Sequence, residues 1–205
     1  MNFFWIILTL LTSYLIGSAN FSIIISKFYK KDIRNMGSGN AGFSNVLRSF
    51  GILFSILTFI GDFIKGVLSI YLSKILLSKC DITNETTFLV LVGFFCCLGH
   101  MYPFFFQFKG GKGILTAWAF NLLISWKIFL TLIIVFLIIF LIFKIISLAS
   151  ISAAVIYPIS TLIFTNSISS FAISLILSAI IIIKHKSNIK RLIEGKENKI
   201  YIKNK

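Results

Sequence analysis

Residues 128–143 read IFLTLIIVFLIIFLIF, a run without one charged side chain. Comparable runs recur along a chain of 205 residues, of which 58% are hydrophobic and 13% are charged. A soluble domain of this length does not need so much apolar material, whereas a helix of about 20 apolar residues crosses a bilayer. The sequence therefore predicts an all-α polytopic membrane protein that resides in a lipid bilayer.

The apolar runs define the candidate membrane helices. We predict seven spans, at residues 3–26, 51–78, 87–108, 113–125, 128–143, 147–165 and 169–184. The run 113–125 is short for a full crossing, so it is tilted, borrowed from its neighbour or re-entrant. Five spans are the alternative count. The run 51–78 contains Asp62 and Lys65, so it is either one long helix or two broken pieces. We interpret residues 1–205 as a single domain.

The charges between the runs predict the orientation. Most of the 20 lysines and arginines follow the first, third, fifth and seventh runs, whereas three lie at the opposite turns: Lys74, Lys79 and Lys127. Asp81 and Glu85 also lie at one of those opposite turns. Because cytoplasmic loops carry the excess of basic residues, seven spans place the N-terminus outside and the C-terminus in the cytoplasm.

Composition excludes several other classes of protein. The formal net charge of +14 does not indicate nucleic-acid binding, because the basic residues separate apolar runs and do not form one basic face. Cys80, Cys96 and Cys97 lack the spacing and the paired histidine of a zinc site, and we predict no metal and no cofactor. The N-terminus has no basic region and no clear cleavage site, so we expect a retained span.

A lysine-glycine segment follows the third run, within GHMYPFFFQFKGGKG at residues 99–113. We call residues 109–113 the second glycine loop; it comprises Lys109, Gly110, Gly111, Lys112 and Gly113. Glycines let successive N–H groups turn toward one anion, and lysines add positive charge. The segment thus favours a phosphate site at the membrane surface. The alternative is a cytoplasmic loop whose charges only orient the chain.

A second polar segment, GSGNAGFSNVLR, occupies residues 37–48. We call residues 37–42 the first glycine loop. Its glycines match GxGxxG by chance, because a dinucleotide fold needs a preceding strand and a βαβ unit. The segment carries candidate phosphate ligands: Ser38, Asn40, Ser44, Asn45 and Arg48. A guanidinium binds phosphate oxygens in a fixed fork, although Arg48 is alternatively one more topology signal.

Polar residues inside the apolar runs carry further candidates. Asp62 and Lys65 are three apart on one helical face, so they form a structural ion pair or Lys65 faces the phosphate site. His100 lies nine residues before Lys109, either as an interfacial residue or in support of that site. Ser150 either bonds to its own helix or contacts a ligand.

The tail reads HKSNIKRLIEGKE at residues 185–197. His185 and Asn188 are three apart and share one helical face. A histidine is a usable general base at neutral pH, and an asparagine orients a hydroxyl without adding charge. The alternative is a polar helix end that anchors the chain. We expect Glu197 to pair with an arginine or lysine and to hold the tail in place.

Taken together, these segments resemble the bacterial acyl-phosphate:glycerol-3-phosphate acyltransferases. The resemblance rests on residues 37–48, 99–116 and 185–197, with GDFIKG at 61–66 and SLASI at 147–151 in agreement. It covers nearly the whole chain. The chain departs from the family pattern at a few positions: Phe43, Ser44, Ile114 and Leu115.

The resemblance implies seven helices in the bacterial cytoplasmic membrane and a cytoplasmic active site. It also implies transfer of an acyl group from acyl phosphate to the 1-hydroxyl of glycerol 3-phosphate. By resemblance, Ser38, Arg48 and Lys112 bind phosphate, and the glycines of the second loop, Gly110, Gly111 and Gly113, form the glycerol 3-phosphate site. To these we add further candidate substrate-binding residues: Asn40, Asn45, Lys65, His100, Lys109 and Thr116. Catalysis is assigned to Ser150, His185 and Asn188, and a structural role to Glu197. The oligomeric state stays open, and a monomer is compatible with the sequence.

From the residues alone, three classes of protein remain: an enzyme, an anion transporter and a scaffold subunit. Transporters also use glycine-broken helices, but these polar residues collect on one side of the membrane and no inverted repeat is visible. An acyl phosphate is already activated, and the sequence offers no convincing nucleophile constellation, so we predict direct attack by the glycerol hydroxyl. The base is either His185 or an oxygen of a substrate phosphate.

Overall fold

The computed structural model describes residues 2–78 and 82–199, and every regular element in these two ranges is helical. The predicted all-α class is therefore confirmed. Contacts divide the described chain into two compact units, which fall within Met1–Ser125 and Trp126–Lys205. Several residues used in the sequence argument lie outside the described ranges: Lys79, Cys80, Asp81, Lys203 and Lys205.

The first unit consists of helices and two short 3-10 turns. Its α-helices are α1 Asn2–Ser18, α2 Phe21–Phe28, α3 Phe43–Phe50, α4 Ile52–Leu77, α5 Glu85–Met101 and α6 Ile114–Ile124. The 3-10 turns are Ile33–Asn35 and Phe104–Phe106. The first turn precedes the first glycine loop, and the second turn precedes the second glycine loop.

The predicted run 3–26 is not one straight helix. It bends by 41° between α1 and α2. The buried side chain of Asn20 begins α2, because its Oδ1 accepts hydrogen bonds from the Ile23 N–H at 3.2 Å and the Ser22 hydroxyl at 2.6 Å. An asparagine that caps a new helix satisfies N–H groups that an interrupted helix leaves open. The bend is thus produced by a local polar cap.

Close packing joins α1, α4 and α5. The Ser13 hydroxyl donates to the Val92 carbonyl at 2.7 Å and lies 2.7 Å from the Ser69 hydroxyl. Glycines bring α1 and α5 together, since a Cβ at Gly17 would overlap the backbone of α5 and a Cβ at Gly99 would overlap that of α1. This packing holds the ends of α1 and α5 beside the middle of α4.

The run 51–78 forms one continuous helix, α4, which decides between the two alternatives for it. Asp62 and Lys65 lie on its buried face, and their side chains are paired at 2.7 Å. Buried charges of opposite sign in contact remove most of the penalty that a single charge would meet. The helix therefore accommodates both ions without a break.

The second unit consists of α7 Trp126–Phe143, α8 Ile146–Thr165, α9 Ile168–Lys184 and α10 Lys186–Ile193. Asn166, in the left-handed conformation, ends α8, and the Ser167 hydroxyl accepts from the Ser170 N–H at 3.1 Å to begin α9. The chain bends by 59° between α9 and α10. His185 lies at that bend.

Four helical segments of the described chain are long and apolar enough to cross a membrane, or up to six if each bent pair is one span. The four are Ile52–Leu77, Glu85–Phe106, Trp126–Phe143 and Ile146–Thr165. The segment Ile114–Ile124 is apolar but shorter, as the sequence indicated. The count of seven spans and the orientation of the termini stay predictions.

Candidate active site

The first glycine loop is organised by Asn45, a buried residue of α3. Its Oδ1 accepts from the Ser38 N–H at 2.9 Å, and its Nδ2 donates to the carbonyls of Ile33 at 3.0 Å and Met36 at 2.8 Å. Gly37 has a φ of +54°, which favours glycine. Three bonds occupy the Asn45 amide, one to the backbone of the loop at Ser38 and two to the backbone just before it. This geometry favours a role in positioning Ser38.

Ser38 of the first glycine loop and Arg48 of the following helix α3 are accessible to solvent. Both side chains are exposed, and the Arg48 Nε donates to the Ser44 carbonyl at 3.0 Å. That bond fixes the direction of the guanidinium one helical turn beyond Ser44. Asn40, also a predicted ligand, is half-buried in the same loop. An exposed, oriented guanidinium is suited to binding a phosphate.

The second glycine loop folds back on the end of α5. The Gly111 N–H donates to the His100 carbonyl at 3.1 Å. A Cβ at Gly111 would overlap both the His100 Nε2 and the Ala41 carbonyl oxygen. Because Ala41 belongs to the first glycine loop, the two glycine loops meet at Gly111. The structure thus brings together two segments that lie far apart in the sequence.

The lysines of the second glycine loop differ in burial. Lys109 is exposed and Lys112 is half-buried, one residue before Gly113, whose φ of +86° leads into α6. Thr116, in the first turn of α6, is fully buried, and its hydroxyl has no hydrogen-bond partner among the described residues. Two lysines and the backbone of a tight loop create a strongly positive environment.

Lys65 and His100 lie in a buried cluster with Asp62. The Lys65 ammonium contacts Asp62 Oδ1 at 2.7 Å, His100 Nδ1 at 2.8 Å and the Ala19 carbonyl at 3.0 Å. These three contacts use all three ammonium protons, which favours a positioning role for Lys65. Since the ammonium donates to Nδ1, the neutral His100 ring carries its proton on Nε2, toward Gly111.

A separate group of predicted residues lies in the second unit, around Glu197. Its Oε1 accepts from the Asn188 amide at 2.8 Å and from the Ser147 hydroxyl at 3.0 Å, and its Oε2 accepts from the Arg191 Nε at 2.6 Å. The expected pairing of Glu197 with a basic side chain is present. It joins the tail to α10 and to the start of α8.

Burial by itself raises the pKa of Glu197, but hydrogen bonds from Arg191, Asn188 and Ser147 outweigh it, so the pKa lies below its ordinary value. A carboxyl group with a lowered pKa stabilises the folded state above its unfolded pKa and loses this contribution as the pH falls through its folded pKa. The tail is therefore attached through an ionised Glu197 at neutral pH.

His185 lies at the junction of α9 and α10 and is buried. Its Nδ1 lies 2.8 Å from the Ile181 carbonyl, which only accepts hydrogen bonds, so Nδ1 carries the proton and Nε2 holds the lone pair of the neutral ring. Asn188, one turn later, is oriented by Glu197. Ser150 is buried on α8, three residues after Ser147. This unit thus presents an oriented histidine and amide.

The predicted site residues thus form one group in each unit. Sequence reasoning did not select Asp62, Asn20 or the pair of Asp32 and Arg34 as site residues. Asp62 was recognisable only as a partner for Lys65. Asn20 carried a signal, since a lone asparagine within an apolar run is costly unless its hydrogen bonds are satisfied.

Comparisons with known proteins extend over nearly the whole chain. Residues 7–195 match the family described as glycerol-3-phosphate acyltransferase. A relative of that name from Finegoldia magna is 40% identical over 204 residues, which cover 98% of each chain. Glycerol-3-phosphate acyltransferase 2 of Bacillus anthracis is 42% identical over 195 residues, covering 95% of this chain and 98% of the relative.

Solved structures are similar as well. The crystal structure of PlsY (YgiH), an integral membrane glycerol 3-phosphate acyltransferase, in its glycerol 3-phosphate form is 34% identical and has a TM-score of 0.87, with 96% of each chain covered. Its lysophosphatidic acid form is 33% identical with a TM-score of 0.83, covering 96% of this chain and 95% of that one. Sequence and fold thus agree over nearly the whole chain, and the chain belongs to the glycerol-3-phosphate acyltransferase family.

Proposed function

We propose that the protein transfers a fatty acyl group from acyl phosphate to the 1-hydroxyl of sn-glycerol 3-phosphate. The products are lysophosphatidic acid and inorganic phosphate. The observation that carries the proposal is the meeting of the two glycine loops at Gly111, beside His100 and Ala41. Membership of the family and the glycerol 3-phosphate and lysophosphatidic acid forms of PlsY support it.

The positive charge of the loops suits a reaction between two phosphate compounds. Acyl phosphate and glycerol 3-phosphate repel each other, so the site must neutralise both before their reacting atoms meet. Arg48, Lys109 and Lys112 supply positive charge, and Ser38 supplies a hydroxyl, while its backbone N–H is held by Asn45 Oδ1. Fixed positive groups also stabilise the charge that collects on the departing phosphate.

The proposed step is a direct acyl transfer. The glycerol 1-oxygen forms a bond to the acyl carbonyl carbon, and the bond from that carbon to the phosphate oxygen breaks, with its electron pair leaving on phosphate. Holding both substrates in a reactive geometry can supply roughly 7–11 kcal/mol of the barrier reduction. The hydroxyl proton passes to His185 Nε2 or to an oxygen of a substrate phosphate.

An apolar groove between α2 and α4 supports a donor with a long hydrocarbon chain. Its volume is about 740 Å³, within the range of roughly 300–1,000 Å³ that ligand sites occupy. The lining is aliphatic and aromatic: Phe21, Ile24, Ile25, Phe28, Tyr29, Phe54, Leu57, Ile60, Gly61 and Ile64. Gly61, in the lining, is adjacent in sequence to Asp62 of the buried cluster. We place the acyl chain there.

We also propose that one chain, as a single catalytic domain in the bacterial cytoplasmic membrane, carries out the whole reaction on the cytoplasmic side. The many basic residues that follow alternate apolar runs support this orientation. Phosphorylated substrates are present on that side. No second chain is needed to supply the groups that the proposal uses.

The experiment that tests the function uses purified protein in detergent or lipid. Labelled glycerol 3-phosphate is offered with palmitoyl phosphate or with palmitoyl-CoA in parallel. Lysophosphatidic acid and free phosphate are expected from palmitoyl phosphate alone. Product from the CoA thioester alone would contradict the proposed donor, and no product from either donor would contradict the acyltransferase reaction itself.

His185→Ala is expected to lower kcat by about 10²–10⁴-fold if His185 Nε2 accepts the hydroxyl proton. The measurement is the initial rate at saturating concentrations of both substrates. Lys186→Gln is the matched control, because Lys186 is exposed and adjacent in sequence. An unchanged kcat in His185→Ala would assign proton transfer to a substrate phosphate.

A further inference from the structure

Arg34 connects the two 3-10 turns that lead into the glycine loops. It lies in the turn Ile33–Asn35, before the first glycine loop. Its Nη1 donates to the carbonyl of Phe106 at 2.8 Å, and Phe106 ends the turn before the second glycine loop. The two residues are 72 positions apart in the sequence. This contact is therefore a tertiary link between the two loop regions.

Asp32 holds the Arg34 guanidinium in one orientation. Arg34 Nε donates to Asp32 Oδ1 at 3.0 Å, and Nη2 donates to Oδ2 at 2.7 Å. Asp32 Oδ1 also accepts from the Arg34 N–H at 2.9 Å, which begins the 3-10 turn. The side-chain hydrogen bond from Arg34 lowers the pKa of Asp32 despite partial burial. A bidentate pair of this kind fixes direction as well as distance.

Phe106 is anchored by its ring as well as its carbonyl. The ring packs against a buried cluster formed by Ile23 of α2 and by Ile33, Ala41 and Val46 around the first glycine loop. The Lys27 ammonium lies 5.1 Å from the centre of the ring, within the range of a cation–π contact. The Phe106 end of the second turn is thus fixed against both α2 and the residues around the first glycine loop.

The Phe106 carbonyl also binds the first residue of the second glycine loop. It accepts from the Lys109 N–H at 3.2 Å in addition to Arg34. Between them, Gln107 and Phe108 have φ values of +58° and +57°, a conformation that costs side-chain-bearing residues free energy. Such a turn persists only where surrounding contacts hold it. Arg34 supplies one of these contacts directly.

We propose that Arg34, held by Asp32, is a positioning residue that fixes the position of the second glycine loop relative to the first. The inference rests on the proposed function in one respect, that the loops bind the substrate phosphates. Arg34 itself is engaged by protein groups and acts through the loop. Its loss leaves the lysines of the second loop present but no longer arranged for one anion.

The test compares Arg34→Ala with Lys31→Gln. Lys31 is exposed in the same segment, so the control removes one positive charge without removing the link. Two properties are measured: hydrogen–deuterium exchange of residues 107–113, and kcat and KM for glycerol 3-phosphate. In Arg34→Ala, we expect faster exchange in that segment and a fall in kcat/KM of about tenfold to a hundredfold, mainly through KM.

Conservative variants keep the test decisive if Arg34→Ala does not fold. Arg34→Lys retains the charge but lacks the planar fork, and Asp32→Asn weakens the hold on the guanidinium. Both are expected to give intermediate exchange and intermediate KM values. Exchange of residues 107–113 at the wild-type rate in all folded Arg34 and Asp32 variants would overturn the proposal, whether or not the chain is active. Inactivity of the wild type toward acyl phosphate would instead overturn the proposed function.

Discussion

Gly111→Ala is expected to lower kcat/KM for acyl transfer by about a hundredfold or more. The added Cβ would overlap the His100 Nε2 and the Ala41 carbonyl oxygen, so the two glycine loops must move apart. A displacement of about 1 Å in a site that aligns two substrates can cost on the order of a hundredfold in rate. The measurement is the initial rate with acyl phosphate over a range of glycerol 3-phosphate concentrations.

The control for this substitution separates crowding from backbone strain. Gly51→Ala places a methyl group in open space at a φ of +85°, where the cost is conformational. We expect Gly51→Ala to lower stability by about 1–3 kcal/mol while kcat/KM per folded molecule is retained. If folded Gly111→Ala had the kcat/KM of the wild type, the junction of the loops would not be the phosphate site.

Lys65→Met is expected to lower the free energy of unfolding by about 3–5 kcal/mol. The Asp62 carboxylate is 1% exposed and lies 2.7 Å from the Lys65 ammonium. Removal of the ammonium leaves a buried negative charge without its nearest compensating cation, and it also removes the donor to His100 Nδ1. The measurement is the denaturation midpoint in a fixed detergent or lipid.

Two further variants test the reason for that loss. Lys74→Met is the matched control on the same helix, because its ammonium is exposed and lies 3.4 Å from the Leu123 carbonyl. It is expected to change stability by no more than about 0.5 kcal/mol. Asp62→Asn combined with Lys65→Met removes both charges and should recover much of the loss. Equal midpoints for Lys65→Met and Lys74→Met would contradict the account.

Helix positions followed closely from the sequence because apolar runs are local features. The charge-free run 128–143 lies within α7, and the run 147–165 corresponds to α8. The bend at Asn20 was not predicted, since hydropathy records the apolar residues on both sides and not the cap between them. The predicted orientation rests on the distribution of basic residues between the apolar runs, and a topology experiment tests it.

The sequence also indicated which residues belong to the candidate site. It predicted substrate binding for nearly all of them, although some bind other parts of the protein. Asn45, Lys65 and Arg48 all carry groups suited to phosphate. In the structure, the Asn45 amide holds the first glycine loop and Lys65 holds Asp62 and His100, while Arg48 is exposed. Spacing along the chain does not distinguish a side chain that binds a ligand from one that binds the protein.

The sequence by itself determined the helical membrane class, the family resemblance and the chemistry of the two glycine loops, because hydropathy, charge and backbone freedom are properties of short segments. Only the tertiary structure decided which polar groups meet. The contacts of Gly111 with Ala41, of Lys65 with His100 and of Arg34 with Phe106 join segments distant in the chain. Such contacts form when packed helices bring those segments together, and no local pattern specifies them.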